Sequence, residues 1–428
     1  MTSTPVWTWL PGATEPTLTG DFELEQDRGV VKYEPAYMET PCAVPLDPVV
    51  LPFTKRIKGR SFQSNSGIPG VILDAAPAGY GADRLNAVAK RDLNVLELLQ
   101  AGLADGAGAI EVCADIERKI DTWRPPAIKD LMALIKELED TAPASRAIRR
   151  LLEDESTSAG GERPKVTVQD GERLWLAKMQ DRGDVPHLPA KEFVVMNLAR
   201  EAGLSVPQIQ LLGDEKRKVY LIERFDRGGS PFKPTRMHYA SAHTILGLDG
   251  SGDHDNPRRS YLVIADMLRR WQLKSGQVED LHELWRRMTF NALVGNTDDH
   301  PRNHAFILSN GVWHLSPAFD ITPQPKTAGL LSLACDEHGS RECTPERLLR
   351  SASHFELDME SATAWLARAA TLIASEWAKR MSAVNVDADA IRYVAPAFKL
   401  SHTLAENADA VYKAADAASA RPDRRRRR

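Results

Sequence analysis

The sequence predicts an α/β (α+β) chain of two lobes, a small β-containing one and a mostly helical one, with a β-rich module in front. Three observations carry that expectation. Residues 1–85 are rich in Pro, Gly and alternating apolar positions. Short apolar runs bounded by turn residues recur between 165 and 222. Beyond 228, apolar residues recur mainly at helical spacing.

Val6-Trp7-Thr8-Trp9-Leu10 and Gly29-Val30-Val31-Lys32-Tyr33 read as short strands. From Arg84 to about Leu152 the pattern turns helical. Leu93, Leu96, Leu98 and Leu99 open it, and Leu131, Leu134, Ile135 and Leu138 share one helix face. Glu153–Lys165 has the composition of a loop. Lys165–Val168 and Leu174–Met179 then read as strands. Pro189–Ala202 reads as a helix that stops at Gly203, and Val219–Ile222 as a buried strand. Leu281, Leu284, Trp285 and Met288 recur at i, i+3, i+4 and i+7, the pattern of a packed helix.

The 428 residues are 43% hydrophobic and 27% charged, ordinary for a soluble globular protein. A net charge of −4 argues against a protein that works as a polycation on nucleic acid. The exception is the arginine-rich tail Arg421–Arg428, read as a solvated end. No apolar run approaches the ~20 residues of a membrane helix, and no signal peptide is visible, so no membrane partner and a cytoplasmic location are expected. The four cysteines are too few for a disulfide framework. Cys335, His338 and Cys343 lack the second CxxC-type pair a structural zinc would want.

Asn291–Pro323 is the most informative segment. A helix ends in Gly295-Asn296-Thr297-Asp298-Asp299-His300-Pro301-Arg302-Asn303-His304, too polar to sit unpaired in a core. Ala305–Leu308 and Val312–Leu315 flank Asn310-Gly311, a strong hairpin signal because both turn positions need positive φ. Asp320 follows, and the hairpin can fold it back beside Asp298 and Asn303. Phosphoryl transfer to a hydroxyl needs such a set: one carboxylate to take the proton, and an amide with a second carboxylate to hold Mg²⁺ against the phosphates. Asp298-x4-Asn303 has the spacing of the protein-kinase catalytic loop. The alternative is that Asp298, Asp299 and Asn303 only cap a helix and satisfy a turn.

A kinase also needs a strand lysine for the phosphates of ATP. Lys178 has that position, and Glu192 on the following helix could pair with it. Glu223-Arg224-Phe225-Asp226 falls where an adenine-binding connector between lobes belongs. Ser158–Lys165 could cradle phosphate on its backbone amides, with Lys165 reaching it. It is neither a Walker A loop nor Gly-x-Gly-x-x-Gly.

Together, Ser158–Lys165, Trp175–Lys178, Glu192 with Leu198–Leu204, Glu223–Arg227, and Asn296–Asn303 with Asp320 resemble the HipA-type serine/threonine kinases, toxins of bacterial toxin–antitoxin pairs. The resemblance covers roughly residues 140–330 and extends more loosely to the N-terminal module. There Pro69–Pro77 departs from the family's Leu-Leu-Pro-type segment. It implies a protein-kinase-like two-lobe fold that uses ATP and Mg²⁺. Asp298 is implied as catalytic base, Asn303 and Asp320 as metal ligands, and Lys178 as the phosphate contact. Glu223, Arg224, Phe225 and Asp226 are implied at the hinge, with Asp226 at the ribose. His300 is implied at the nucleotide, and Gly160, Gly161, Glu162, Arg163, Pro164 and Lys165 as the phosphate loop. Ser158 is implied as a self-phosphorylated switch whose added charge ejects that loop. The family's targets include aminoacyl-tRNA synthetases, and its usual partner is a helix-turn-helix antitoxin through which DNA is reached.

The expected division is 1–105 for the N-terminal module, 106–227 for the N-lobe, 228–417 for the helical C-lobe and 418–428 for the tail. Two other readings compete. One is a small-molecule phosphotransferase on the same scaffold, and the other a non-catalytic corepressor or binding subunit.

Overall fold

The computed structural model describes residues 3–26, 28–53, 67–131, 163, 165–180, 184–214, 217–248, 255–272, 278–325 and 329–419. It is a mixed α/β structure, as expected, and divides into two compact units. The first comprises Met1–Val185, Pro207–Ser251 and Ala305–Ser316. The second comprises Pro186–Val206, Gly252–His304 and Pro317–Arg428.

The first unit opens with strands β1 (Ser3–Trp9), β2 (Pro16–Glu25) and β3 (Arg28–Tyr33). Four short helices follow: α1 (Pro35–Glu39), α2 (Gly70–Ala75), α3 (Tyr80–Ala89) and α4 (Val95–Ala101). Strand β4 (Ile110–Val112) and helix α5 (Ile116–Thr122) complete the module. The strands form an antiparallel sheet in the order β3-β2-β1-β4. Its alternating apolar side packs Trp9, Ala109, Cys113 and Ile116 together, with Trp7 against them. Two of these helices, α4 and α5, begin at side-chain caps. Asn94 and Glu97 form a reciprocal capping box on α4, and Asp115 accepts from Arg118 N at 2.9 Å on α5.

A second antiparallel sheet has β5 (Lys165–Gln169), β6 (Leu174–Met179), β7 (Ile209–Gly213) and β8 (Lys218–Glu223), in the order β5-β6-β8-β7. Side chains alternate across a strand. Val166, Val168, Trp175, Ala177, Met179, Val219 and Leu221 therefore share one face and bury Leu131 with them. Lys165, Thr167, Leu176, Lys178, Tyr220 and Ile222 share the other.

Residues from 228 onward were expected to start the helical region, yet 227–241 contain three short strands. β9 (Arg227–Ser230) pairs with β10 (Lys233–Arg236), and β11 (Tyr239–Ser241) joins β12 (Ala305–Ser309) and β13 (Val312–Leu315). These strands are held by charge as well as apolar burial. Buried Arg236 bonds Glu111 at 2.9 Å and lies 3.8 Å over the Trp9 ring. The β12–β13 turn is as expected: Asn310 and Gly311 take φ of 50° and 78°.

The second unit is helical in the described residues. It contains α6 (Leu188–Glu201), α7 (Tyr261–Trp271), α8 (Val278–Leu293), α9 (Pro345–Ser351), α10 (Met359–Ala383), α11 (Ala388–Val394), α12 (Lys399–Glu406) and α13 (Ala408–Ser419). The 25-residue α10 packs against α6 and α12. Three tryptophans of its core, Trp285, Trp365 and Trp377, donate their indole N–H groups. Trp285 donates to Leu348 O at 2.9 Å, and Trp365, edge-on to it at 5.8 Å, donates to Ala202 O. Trp377 stacks on Phe398 at 4.2 Å. Among the described residues, no helix is long and apolar enough to cross a membrane.

Candidate functional site

In the first unit, the β5-β6-β8 register sets Lys165 opposite Lys178 and Lys178 opposite Tyr220. All three side chains stand on the sheet face turned away from the apolar cluster. The Lys178 ammonium lies 5.8 Å over the Tyr220 ring, within cation–π range. Like charges directly opposite one another are unfavourable in a bare sheet. Three residues along β8 from Tyr220 lies Glu223, paired with Trp175. At about 3.3–3.4 Å per residue that is ~10 Å along the strand. Arg163, just ahead of Lys165, bonds Asp184 at 2.7 Å. Ser158, Gly160, Gly161, Glu162 and Pro164 lie outside the described residues, as do Leu134, Ile135 and Leu138 and the tail from 420 onward.

The segment after β8 carries two of the residues expected at the nucleotide. Arg224 and Asp226, expected against the nucleotide, turn into the protein and are buried. Arg224 grips the Asp226 carboxylate at 3.0 and 2.8 Å and also bonds Asp105 and Gly106 O. Arg227 reaches Asp226 at 2.6 Å and Gly106 O at 2.6 Å, and Gly108 N donates to Asp226 at 2.9 Å. Burial would raise the Asp226 carboxyl, but the Arg224 and Arg227 guanidiniums outweigh it and hold the group well below the usual carboxylate range. A charge so enclosed by partners is framework. Glu223 and Phe225 are half-buried. Glu223 pairs with Arg173 at 3.6 Å, and its N–H donates to Gln208 O at 2.8 Å. Beside this turn a cleft of about 280 Å³ is lined by Glu172, Arg173, Glu223 and Gly228 among others.

The second unit carries the polar loop. Asp298 is exposed and Asp299 buried, so the two adjacent carboxylates have separate fates. The loop closes on the Asp298 carbonyl, which accepts from His300 N at 2.8 Å and from the Asn303 amide at 3.2 Å. Pro301–Asn303 form one 3-10 turn, and Asn303 N donates to His300 O at 2.9 Å. Because the Asn303 NH₂ is turned to the carbonyl, its amide oxygen faces elsewhere. His300 is half-buried in the same turn.

Beneath the loop lies a buried polar network. Asp299 accepts from the Tyr261 hydroxyl and from His304 Nε2 at 2.8 Å. Asn291 donates to the Tyr261 oxygen at 3.0 Å, and Asn296 donates to Asn291 Oδ1 at 3.1 Å. The density of Asn, Asp and His announced such a network, while nothing in the sequence announced Tyr261.

Asp320 takes a φ of 60°, a left-handed conformation that is sparsely populated outside glycine. Ala318 N donates to Ser205 O at 2.7 Å ahead of it, and Gln324 N to Gly295 O at 3.1 Å behind it. The Asp320 segment is thereby pinned to the start of the loop that carries Asp298. Glu192 is buried on α6 in the second unit, whereas Lys178 belongs to the first. Among the described residues, no group of three or more His, Cys, Asp or Glu is arranged for a metal. An octahedral Mg²⁺ asks less, since it takes one or two protein oxygens and completes its shell with water and phosphate. The Asn303 amide and Asp320 carboxylate fit that demand in kind.

Comparison with known proteins gives a family and a fold. A family model described as the HipA-like C-terminal domain matches residues 157–384, more than half of the 428. The serine/threonine-protein kinase toxin HipA of Shewanella oneidensis is 25% identical over 146 residues, which cover 32% of this chain and 34% of that protein. Toxin YjjJ of Escherichia coli is 27% identical over 198 residues, 42% of each. The chain thus matches less than half the length of these relatives. Among solved structures, a chain of the Shewanella oneidensis complex of HipA, HipB and operator DNA superposes with a TM-score of 0.67 at 18% identity. The match covers 94% of this chain and 97% of that one. At that identity the likeness is one of fold.

Proposed function

The chain belongs to the family of HipA-like C-terminal domains, and on that premise we propose that it is an Mg·ATP-dependent serine/threonine protein kinase. The observation that carries the proposal is the loop of the second unit, where Asp298 is exposed on a turn closed by Asn303 with the Asp320 segment pinned alongside. In this reading Asp298 takes the proton of the attacking hydroxyl. Asn303 and Asp320 hold Mg²⁺, which when bound neutralises phosphate charge. Lys165 and Lys178 receive the phosphates, Glu192 supports Lys178, and the backbone at Glu223 and Phe225 borders the adenine. Arg163 and the glycines at 160 and 161 belong to the phosphate loop, and His300 borders the nucleotide. Arg224 and Asp226 stiffen the connector from behind.

Regulation and partners extend the same proposal. Phosphorylation of Ser158 switches the kinase off by placing a dianion next to the site of another. The target is a protein, such as an aminoacyl-tRNA synthetase. A helix-turn-helix antitoxin restrains the kinase and links it to DNA, in the cytoplasm. Support for that partner is the fold shared with a protein solved together with HipB and operator DNA.

The test is incubation of the wild-type chain, Asp298→Ala and Ser158→Ala with Mg²⁺ and γ-labelled ATP, followed by site mapping. Wild type is expected to label Ser158 and a lysate protein. Asp298→Ala is expected to bind ATP within about threefold of wild type yet lose at least ~10³ in transfer rate. Nucleotide binding without transfer to any protein would move the assignment to a small-molecule phosphotransferase. No nucleotide binding would leave the non-catalytic binding subunit.

A further inference from the structure

We propose that Asp299, Tyr261 and His304 form a positioning device that presents Asp298 and Asn303 in reacting geometry. The inference rests on the kinase reading and deepens it at the same site. Asp299 is 1% exposed and Tyr261 is fully buried. The carboxylate is held on both oxygens, by the Tyr261 hydroxyl on Oδ2 and His304 Nε2 on Oδ1. It therefore has no role left in contact with a substrate.

Its value is mechanical. Tyr261 begins α7, Asn291 sits in the last turn of α8, and Asn296 and Asp299 lie in the loop. One chain of hydrogen bonds thus ties the loop to two helices. His304 closes the other end, just beyond the turn that contains Asn303. Asp298 and Asn303 lie between the fixed points Asn296, Asp299 and His304. They make their mutual bond across that short span. The Tyr261 and His304 rings pack edge to face at 5.2 Å, which fixes the direction of both donors. A carboxylate whose oxygens are both occupied by oriented donors has one position, and so do its chain neighbours.

Tyr261→Phe removes a single hydroxyl and keeps the ring, and Asp299→Asn is the second variant. Both are compared with wild type as full chains. The readouts are phosphoryl transfer, KM for Mg·ATP, and amide hydrogen exchange over 296–304. The expected result for Tyr261→Phe is a kcat lower by ~10–100-fold, KM within about twofold, and exchange over 296–304 faster by ~10-fold, with α7 and α8 unaltered. A residue that only stabilised the fold would speed exchange throughout and leave kcat per folded molecule intact. That pattern overturns the proposal, as does a lowered kcat with unchanged exchange. If wild type itself transfers no phosphate, the kinase reading fails separately. Exchange over 296–304 then decides alone: faster in Tyr261→Phe upholds the positioning role, and unchanged overturns it.

Discussion

His238 is 1% exposed in the first unit, edge-on to the Trp313 ring at 6.4 Å. Burial pushes its imidazole down to about 4, and the Trp9 backbone offsets only part of that. In the unfolded chain a histidine titrates near ~6.5. Between those two values the unfolded state binds a proton that the folded state does not. Stability is therefore complete above about pH 7 and falls as the pH drops from ~6.5 towards 4. The expected loss from this residue between pH 7.5 and 5 is about 2 kcal/mol. His238→Phe should abolish that component, and urea midpoints of both proteins at the two pH values check it. An identical pH slope for wild type and variant would contradict the account. Residues also mark the limit of local reading. Asp298 and Asp299 are equivalent in the sequence, and what separates them is Tyr261, 38 positions away. For Arg224 and Asp226 the partners Asp105, Gly106 and Gly108 lie about 120 residues upstream, beyond any local pattern.

The end of α8 shows how an element aims a site. Gly295 follows the helix with a φ of 60°, and a Cβ there would stand 2.5 Å from the Ala397 carbonyl oxygen. Only glycine meets both conditions. Gly295→Ala is expected to cost ~2 kcal/mol or more, from the left-handed strain together with the displaced contact. It should also lower transfer per folded molecule, since Gly295 O anchors Gln324 behind Asp320. Thermal midpoint and active-site-normalised rate, measured together, test both parts. Strong periodicity made β6, β8, α6, α8 and the β12–β13 hairpin legible within a residue or a few. β9, β10 and β11 were not, because strands of four, four and three residues with sequences such as Arg227-Gly228-Gly229-Ser230 offer no alternation to read. Their pairing is set by Arg227 and Arg236, whose partners are distant in the chain.

Neither unit is a continuous stretch of sequence, since the chain leaves and re-enters each of them. The expected division into successive lobes could not foresee this from composition, because composition does not say which elements return to the same unit. A fragment of residues 1–206 lacks β7 and β8, and so half of the second sheet and one of its two central strands. It is expected to show no cooperative thermal transition and no near-ultraviolet tryptophan signal. A sharp transition in that fragment would refute this view of the fold. The same threading governs what a ribosome delivers. The lysine row and the connector are made first, the Asp298 loop next, then the hairpin that completes the first unit, and only afterwards Asp320. A message interrupted at any codon before 320 yields a product without the second carboxylate. If this chain is a growth-arresting kinase in which Asp320 holds Mg²⁺, its order of synthesis makes every product truncated before that residue harmless.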